Sequence, residues 1–212
     1  MKIVLLDDHP MMLKSITQTV GSIPDFELLG AFDSAEKLRS YVEHFHREEE
    51  KLLALVDLQI GANYSFNLIN ELSKKGIICA VYSMYSQVPF VVKAFQNGAK
   101  GYIFKNYSEE NFIDALKILA TGEPFIPPEI TAAFARTSSI FASLTKKEQQ
   151  VAELIMRNFS NKEISEELNI GKRTTENYLA RLYDKTGCSS RIELERYFQG
   201  RNGTAKTNAE GI

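Results

Sequence analysis

Cysteine is scarce in this chain. Its 212 residues include two, Cys79 and Cys188, far apart and in no CxxC pair. A disulfide framework and a cysteine-based zinc site are both excluded. Histidine is nearly as scarce: three residues, two of them in the charged stretch 44–51, make a poor metal constellation. Long apolar runs are missing, and none approaches the roughly 18 residues of a membrane span. The first run, Ile3–Leu6, ends in two aspartates and is too short for the core of a signal peptide. A dominant charge is missing too. A net charge of −2 excludes a wholly basic nucleic-acid coat protein and a polyacidic tail protein. What remains, 44% hydrophobic and 25% charged, is a globular balance. A cytoplasmic protein with no membrane partner is expected.

The first 120 residues alternate short apolar runs with amphipathic stretches. The runs are Ile3–Leu6, Phe26–Phe32, Leu52–Val56, Ile77–Tyr82 and Gly101–Phe104. The first, third and fourth are almost continuously apolar, which is how strands read when both faces of a parallel sheet are covered. Between them, Met12, Ile16, Thr19 and Val20 make a helical stripe. So do Leu68, Ile69 and Leu72, then Val88, Val91, Val92 and Phe95, then Phe112, Leu116 and Leu119. Ser34 and Ser108 stand where N-caps belong. Five βα repeats predict a doubly wound α/β domain, a five-stranded parallel sheet over residues 1–120.

From Thr121 to Ser143 the pattern lapses at Gly122, Pro124, Pro127 and Pro128, and Thr137–Ser139 is small and polar. The stretch reads as a linker with room for a short helix over Glu129–Arg136. From Leu144 the pattern is all helical. Thr145/Glu148, Ser160/Glu163 and Ser190/Glu193 have capping-box spacing. A further helix begins near Lys172 and ends before Gly187. Residues 144–200 therefore form an all-α domain of four helices, and 201–212 are expected to be disordered. Residues 1–120 carry 12 basic and 15 acidic groups, net −3; residues 144–200 carry 10 and 9, net +1. Charge alone does not point to DNA.

In a doubly wound sheet, ligands bind beyond the carboxyl ends of the strands. Strand one ends at Asp7 and Asp8, strand three at Asp57, strand four at Ser83 and strand five at Lys105. Three carboxylates repel one another and suit a hard divalent cation such as Mg²⁺. The cation would neutralise an incoming phosphoryl group, freeing Asp57 to act as a carboxylate nucleophile. Lys105 would supply a point charge and Ser83 a hydroxyl donor for the phosphate. A capped loop or a surface ion pair accounts for any one of these residues. All five at successive strand ends point to a site.

These segments resemble a known family. Leu5-Leu6-Asp7-Asp8-His9-Pro10, Leu55-Val56-Asp57-Leu58, Val81-Tyr82-Ser83 and Gly101-Tyr102-Ile103-Phe104-Lys105 look like the receiver domain of two-component response regulators, a flavodoxin-like fold. The resemblance implies that Asp57 accepts a phosphoryl group from a sensor histidine kinase. It implies Mg²⁺ held by Asp8, Asp57 and the backbone carbonyl of Gln59, with Asp7 assisting through water. It also implies that Ser83 swings toward the phosphate while Tyr102 turns inward, a two-state switch. Two features depart from the pattern. Gly61 stands where proline is usual, and a glycine near the next helix start is missing. The loop Gly61–Ser65 beside the site is therefore unusual.

The segment Asn161–Lys185 is laid out as helix, tight turn, helix. Ile164 and Leu168 face inward, Asn169 tolerates a left-handed conformation, Ile170 points back to the core and Gly171 opens the second helix. On that helix Thr175, Leu179, Leu182 and Thr186 make the buried face. Arg173, Glu176, Asn177, Ala180 and Asp184 make the opposite one. From spacing alone, that face reads equally as a base reader and as the solvated side of a helical bundle. Leu144-Thr145-Lys146-Lys147-Glu148, Ser160-Asn161-Lys162-Glu163-Ile164, Arg173-Thr174-Thr175-Glu176-Asn177-Tyr178-Leu179 and Leu182-Tyr183-Asp184-Lys185-Thr186-Gly187 resemble the LuxR-type helix-turn-helix domain. A receiver joined to that domain is the architecture of the NarL/FixJ regulators. The resemblance implies that Glu176, Asn177 and Ala180 face base edges of double-stranded DNA. Lys162, Lys172, Arg173, Thr174, Arg181 and Lys185 become candidates for phosphates. It implies a homodimer on activation, in contact through the final helix. Position 176 is usually basic in the family and position 178 often histidine, so Glu176 and Tyr178 depart from it.

The leading reading is a phosphorylation-switched DNA-binding transcriptional regulator. The alternative keeps DNA binding but places the receiver under control independent of phosphorylation. An enzyme is disfavoured. Haloacid-dehalogenase phosphatases need a second aspartate two residues after the first, and that position is Gln59; a flavin-binding loop does not resemble Asp8-His9-Pro10.

Overall fold

A computed structural model describes residues 1–45 and 51–198. The expected tail 201–212 lies outside the described residues, as does most of the charged stretch 44–51. The chain divides into two compact units, the first built mainly from residues up to Thr131 and the second mainly from those after it.

In the first unit, β1 (Lys2–Leu6), β2 (Glu27–Phe32), β3 (Leu52–Asp57), β4 (Ile78–Ser83) and β5 (Ala99–Phe104) form one sheet in the order β2-β1-β3-β4-β5. Every pairing in it is parallel. The strands alternate with α1 (Pro10–Gly21), α2 (Ala35–Phe45), α3 (Phe66–Lys74), α4 (Val88–Gln96) and α5 (Glu109–Thr121). The order reverses between β1 and β3, which opens a crevice at their carboxyl ends.

Pleat alternation divides the core between the two faces of the sheet. Ile3, Leu5, Leu53, Leu55, Ala80 and Ile103 pack with Ile16 and Val20 of α1 and with Phe112, Leu116 and Leu119 of α5. The intervening residues point the other way, where the Cys79 thiol lies 3.8 Å from the Ile69 carbonyl of α3. β3 is buried along its whole length, so its continuous apolar run is a central strand covered twice. Pro10 opens α1 directly behind Asp7 and Asp8, and the caps expected of Ser34 and Ser108 accept amide hydrogens from Lys37 and Asn111.

Gly101 marks a close approach on β5. A Cβ there would stand 2.7 and 2.9 Å from the methyl groups of Leu119, which is fully buried and has nowhere to retreat. Gly101→Ala is expected to cost about 1–3 kcal/mol, read as a lower urea midpoint. An unchanged midpoint would show that α5 gives way.

The stretch 121–143 is more ordered than its sequence suggests. Gly122 ends α5 in a left-handed conformation, and Phe125 then forms a parallel bridge to Gly101. Tyr102 N–H donates to Phe125 O at 3.0 Å and Phe125 N–H to Lys100 O at 2.9 Å. The edge of β5 is thereby covered rather than left as an open template. The Tyr107 hydroxyl donates to the Glu129 carboxylate, 2.9 and 3.1 Å from its two oxygens. After a short 3₁₀ turn, α6 spans Thr131–Ser143, longer than the helix allowed for in the linker and reaching its very end.

In the second unit, α6 is joined by α7 (Lys146–Met156), α8 (Asn161–Glu167), α9 (Lys172–Thr186) and α10 (Arg191–Phe198). The expected four helices are thus present with α6 added. Phe141 of α6 and Phe198 of α10, both fully buried, meet edge to face at 5.8 Å. The capping boxes at Thr145/Glu148 and Ser160/Glu163 are complete. The third is half formed: Ser190 Oγ accepts the Glu193 amide, but the Glu193 carboxylate takes the N–H of Ser189 instead.

Candidate functional site

The carboxyl ends of β1, β3, β4 and β5 bring the five expected residues to one crevice. Asp7 and Asp57 are buried, and Asp8 is partly exposed. Lys105 Nζ lies 2.7 Å from Asp7 Oδ2 and 2.7 Å from Asp57 Oδ2. Two buried carboxylates thus share one cation. Burial pushes the Asp57 carboxyl above the ordinary range, outweighing the downward pull of Lys105. Burial works to lower the Lys105 ammonium, but its hydrogen bonds to Asp57 and Asp7 hold it raised. Asp57 Oδ2 is engaged by Lys105, whereas Oδ1 has only a long 3.4 Å contact from Gln59 N–H.

Ser83 is fully buried at the end of β4 and accepts the Tyr85 amide at 3.1 Å. Tyr102 is fully buried too, its hydroxyl donating to the Tyr85 carbonyl at 2.7 Å. The inward position that the resemblance assigned to a switched state is the one Tyr102 holds here.

Three residues outside the expected site set complete the crevice. His9 Nδ1 stands 3.0 Å from Asp7 Oδ1 and 3.0 Å from Asp8 Oδ1. Its hydrogen bond goes to Asp7, and Asp8 Oδ1 is left buried and without a hydrogen-bond partner. Gly61 N–H donates to Asp8 Oδ2 at 2.7 Å, and the Tyr85 hydroxyl donates to Gln59 Oε1. His9 stood beside the acid pair in the chain. Gly61 stood out as a departure from the receiver pattern without its contact to Asp8 being legible, and the Tyr85 contact had no sequence signal.

Gly61 has a structural reason. Residues Gln59–Ile60 and Asn63–Tyr64 pair antiparallel across the two-residue loop Gly61-Ala62. φ is +58° at Gly61 and not positive at Ala62. Glycine at the first central position is what a type II′ hairpin turn requires.

One donor atom from each of Asp7, Asp8, His9 and Asp57 lies within 4.8 Å of the others. Three carboxylates, one with an unsatisfied buried oxygen, fit a hard cation such as Mg²⁺.

In the second unit, α8 and α9 enclose the expected turn. Asn169 is left-handed at φ 50°, Gly171 caps α9, and Gly187 ends it in a left-handed conformation. Thr175, Leu179 and Leu182 are buried, and the Thr175 and Ser165 hydroxyls meet at 2.8 Å to lock the two helices. Leu168, Ile170 and Thr186 are only half-buried. Lys162, Lys172, Arg173, Thr174, Glu176, Asn177, Ala180 and Arg181 are all exposed. Lys172 lies 3.9 Å from Glu176 and Lys162 3.8 Å from Glu166, so part of the basic charge is offset locally. Lys185 does not join that face. Its ammonium donates to Ser143 O at 2.7 Å and to the buried Glu148 carboxylate at 2.8 Å.

Comparison with known proteins agrees with both halves. Residues 3–117, more than half of the chain, match the family described as response regulator receiver domain. Residues 142–198 match the bacterial regulatory proteins of the luxR family. The oxygen regulatory protein NreC of Staphylococcus carnosus is 26% identical over 210 residues, which cover 93% of this chain and 96% of NreC. The transcriptional regulatory protein UhpA of Escherichia coli is 28% identical over 194 residues, covering 92% and 95%. Among solved structures, RcsB from Salmonella enterica serovar Typhimurium, bound to promoter P1flhDC in the presence of phosphomimetic BeF3-, aligns with a TM-score of 0.67 at 20% identity. That match covers 95% of this chain and 99% of that one. A receiver fold with an acidic crevice, followed by a helix-turn-helix unit, defines a class of regulator. The chain belongs to the two-component response regulators of the NarL/FixJ type. Its relatives are transcriptional regulators rather than enzymes. No helix among the described residues is long and apolar enough to cross a membrane.

Proposed function

We propose that this chain is a cytoplasmic transcriptional regulator switched by phosphorylation of Asp57. The observation that carries the reading is the crevice itself: a buried Asp57 with one oxygen held by Lys105 and the other little engaged, beside two further carboxylates. The freer oxygen attacks the phosphorus of a sensor histidine kinase's phosphohistidine. The P–N bond breaks, the imidazole leaves and an aspartyl phosphate forms. Asp8, Asp57 and the Gln59 carbonyl would hold Mg²⁺, with Asp7 assisting through water. When bound, the ion offsets charge on the phosphoryl oxygens. Lys105 is placed to take up one phosphate oxygen and Ser83 to donate to another.

In the second unit, α9 enters the major groove of double-stranded DNA. Asn177 suits adenine, Glu176 accepts from cytosine N4 and Ala180 touches a thymine methyl. Lys162, Lys172, Arg173, Thr174 and Arg181 serve phosphates; Lys185, committed to Glu148, is left out. Phosphorylation favours a homodimer that reads two half-sites about one helical turn apart.

The test is selection from a randomised duplex pool at fixed salt with Mg²⁺, with and without beryllofluoride. A paired half-site motif is expected only with beryllofluoride and is lost on Asp57→Ala. Equal enrichment in both conditions would sink phosphorylation control and favour a receiver governed in another way. No enrichment in either would count against Glu176 and Asn177 as base readers.

A further inference from the structure

The hairpin after Asp57 gives the crevice a rim of its own. Gly61 keeps an amide hydrogen that proline lacks, and it is spent on Asp8 Oδ2 at 2.7 Å. From there hydrogen bonds run without a break. Gln59 Nε2 donates to the Gly61 carbonyl at 2.9 Å, and the Tyr85 hydroxyl donates to Gln59 Oε1. Tyr85 then closes on the far wall through its N–H to Ser83 Oγ and its carbonyl from the Tyr102 hydroxyl. The partly exposed Asp8 is thus joined to β4 and β5 by a route that passes through neither Asp57 nor Lys105.

A partly exposed carboxylate with nothing to hold it samples several rotamers. Pinning Oδ2 fixes Oδ1 as well, and that oxygen is buried, unsatisfied and 3.0 Å from the same His9 nitrogen that Asp7 engages. Hydrogen bonds to a ligating carboxylate orient it, and their loss typically costs 10–100-fold in metal affinity.

We infer that Gln59 and Tyr85 are positioning residues for the cation. Through Gly61 they hold Asp8 by its Oδ2, so that Gln59 of the hairpin and Tyr85 beyond β4 would preorganise one ligand of the cation. The inference rests on the proposed reading of the crevice as a Mg²⁺-assisted phosphoacceptor.

The test is calorimetric titration of Mg²⁺ into the full chain and its Tyr85→Phe, Gln59→Leu and double variants. Tyr85→Phe removes the hydroxyl and keeps the ring, with its edge contact to Tyr64, and both backbone hydrogen bonds. Each single variant is expected to weaken Mg²⁺ about tenfold. The double variant should lose no more than either single, because both cut one chain. Unchanged affinity in both singles would overturn the inference and leave the cation site standing. Additive losses would also overturn it, since the two residues would then act separately. No binding to the unaltered chain at millimolar Mg²⁺ would overturn the cation reading itself, and the inference with it.

Discussion

Lys105→Met is expected to destabilise the receiver unit by about 3 kcal/mol at neutral pH, the lower end of the cost of breaking a buried ion pair from one side. The Lys105, Asp7 and Asp57 side chains are 5%, 1% and 7% exposed, and the ammonium contacts both carboxylates at 2.7 Å. Methionine keeps the stem and removes the charge, which leaves two like charges buried side by side. The pH dependence separates this cause from lost packing. Asp57 is already raised by burial, and Lys105 is what restrains it. Without Lys105 its folded pKa climbs further above the unfolded value. A carboxyl raised by folding opposes the fold when ionised, and that penalty vanishes as pH falls through the folded pKa. The deficit should therefore shrink on acidification, read by urea unfolding at neutral and at acidic pH. A deficit of the same size at both would assign the loss to packing. The unaltered chain carries the complementary signature. Lys105 is raised, so its contribution is complete below 10.5 and is lost as pH climbs through its folded value. Millimolar Mg²⁺ should restore part of the variant's stability if the crevice takes a cation, because binding only to the folded state stabilises it.

The crevice was legible because a central parallel strand leaves little room for polar residues. β3 is buried at every position, so a charged residue at its end stands out, and Asp7, Asp8, Ser83 and Lys105 stand out in the same way. What links them was not legible. Gln59 and Tyr85 are 26 residues apart, and no local pattern pairs them. The hairpin at 59–64 is four paired residues around Gly61-Ala62, too short for alternation to show. The stretch 121–143 misled for another reason. Its prolines and small polar residues carry weak helix propensity, yet α6 holds Thr137 and Phe141 buried. Tertiary burial decides such a helix more than propensity does. In α9 the buried and exposed faces were read correctly at Thr175, Leu179 and Leu182, since 3.6-residue periodicity fixes a face directly. Periodicity did not show where the end of a long, flexible side chain goes, and Lys185 is the case in point.

Lys185 and Arg173 should therefore separate cleanly by experiment, although both are basic residues on one helix. Lys185 staples three helices: its ammonium meets the carbonyl of Ser143 at the end of α6 and the Glu148 carboxylate in the first turn of α7. Glu148 is buried, and it also accepts the Thr145 amide at 2.7 Å as half of a capping box. Burial works to raise its carboxyl, but Lys185 and Thr145 together hold it below the ordinary range. Lys185→Met should cost the helical unit about 2 kcal/mol at neutral pH, less than a fully buried pair because Lys185 is 31% exposed. A carboxyl lowered by folding contributes stability above its unfolded pKa and loses it as pH falls through the folded one. The deficit should accordingly narrow in acid, where Glu148 no longer needs a cation. The salt dependence of DNA binding should be unchanged by Lys185→Met. Arg173→Ala should do the reverse. Arg173 is exposed at the start of α9, so its removal should shift stability by less than about 0.5 kcal/mol. It should also reduce the slope of log affinity against log salt by about 1. Unfolding curves and salt titrations on the two variants decide the matter. If Lys185→Met lowered the salt slope and left stability intact, its ammonium would belong to a phosphate after all, and the contact with Glu148 would have to open when DNA binds.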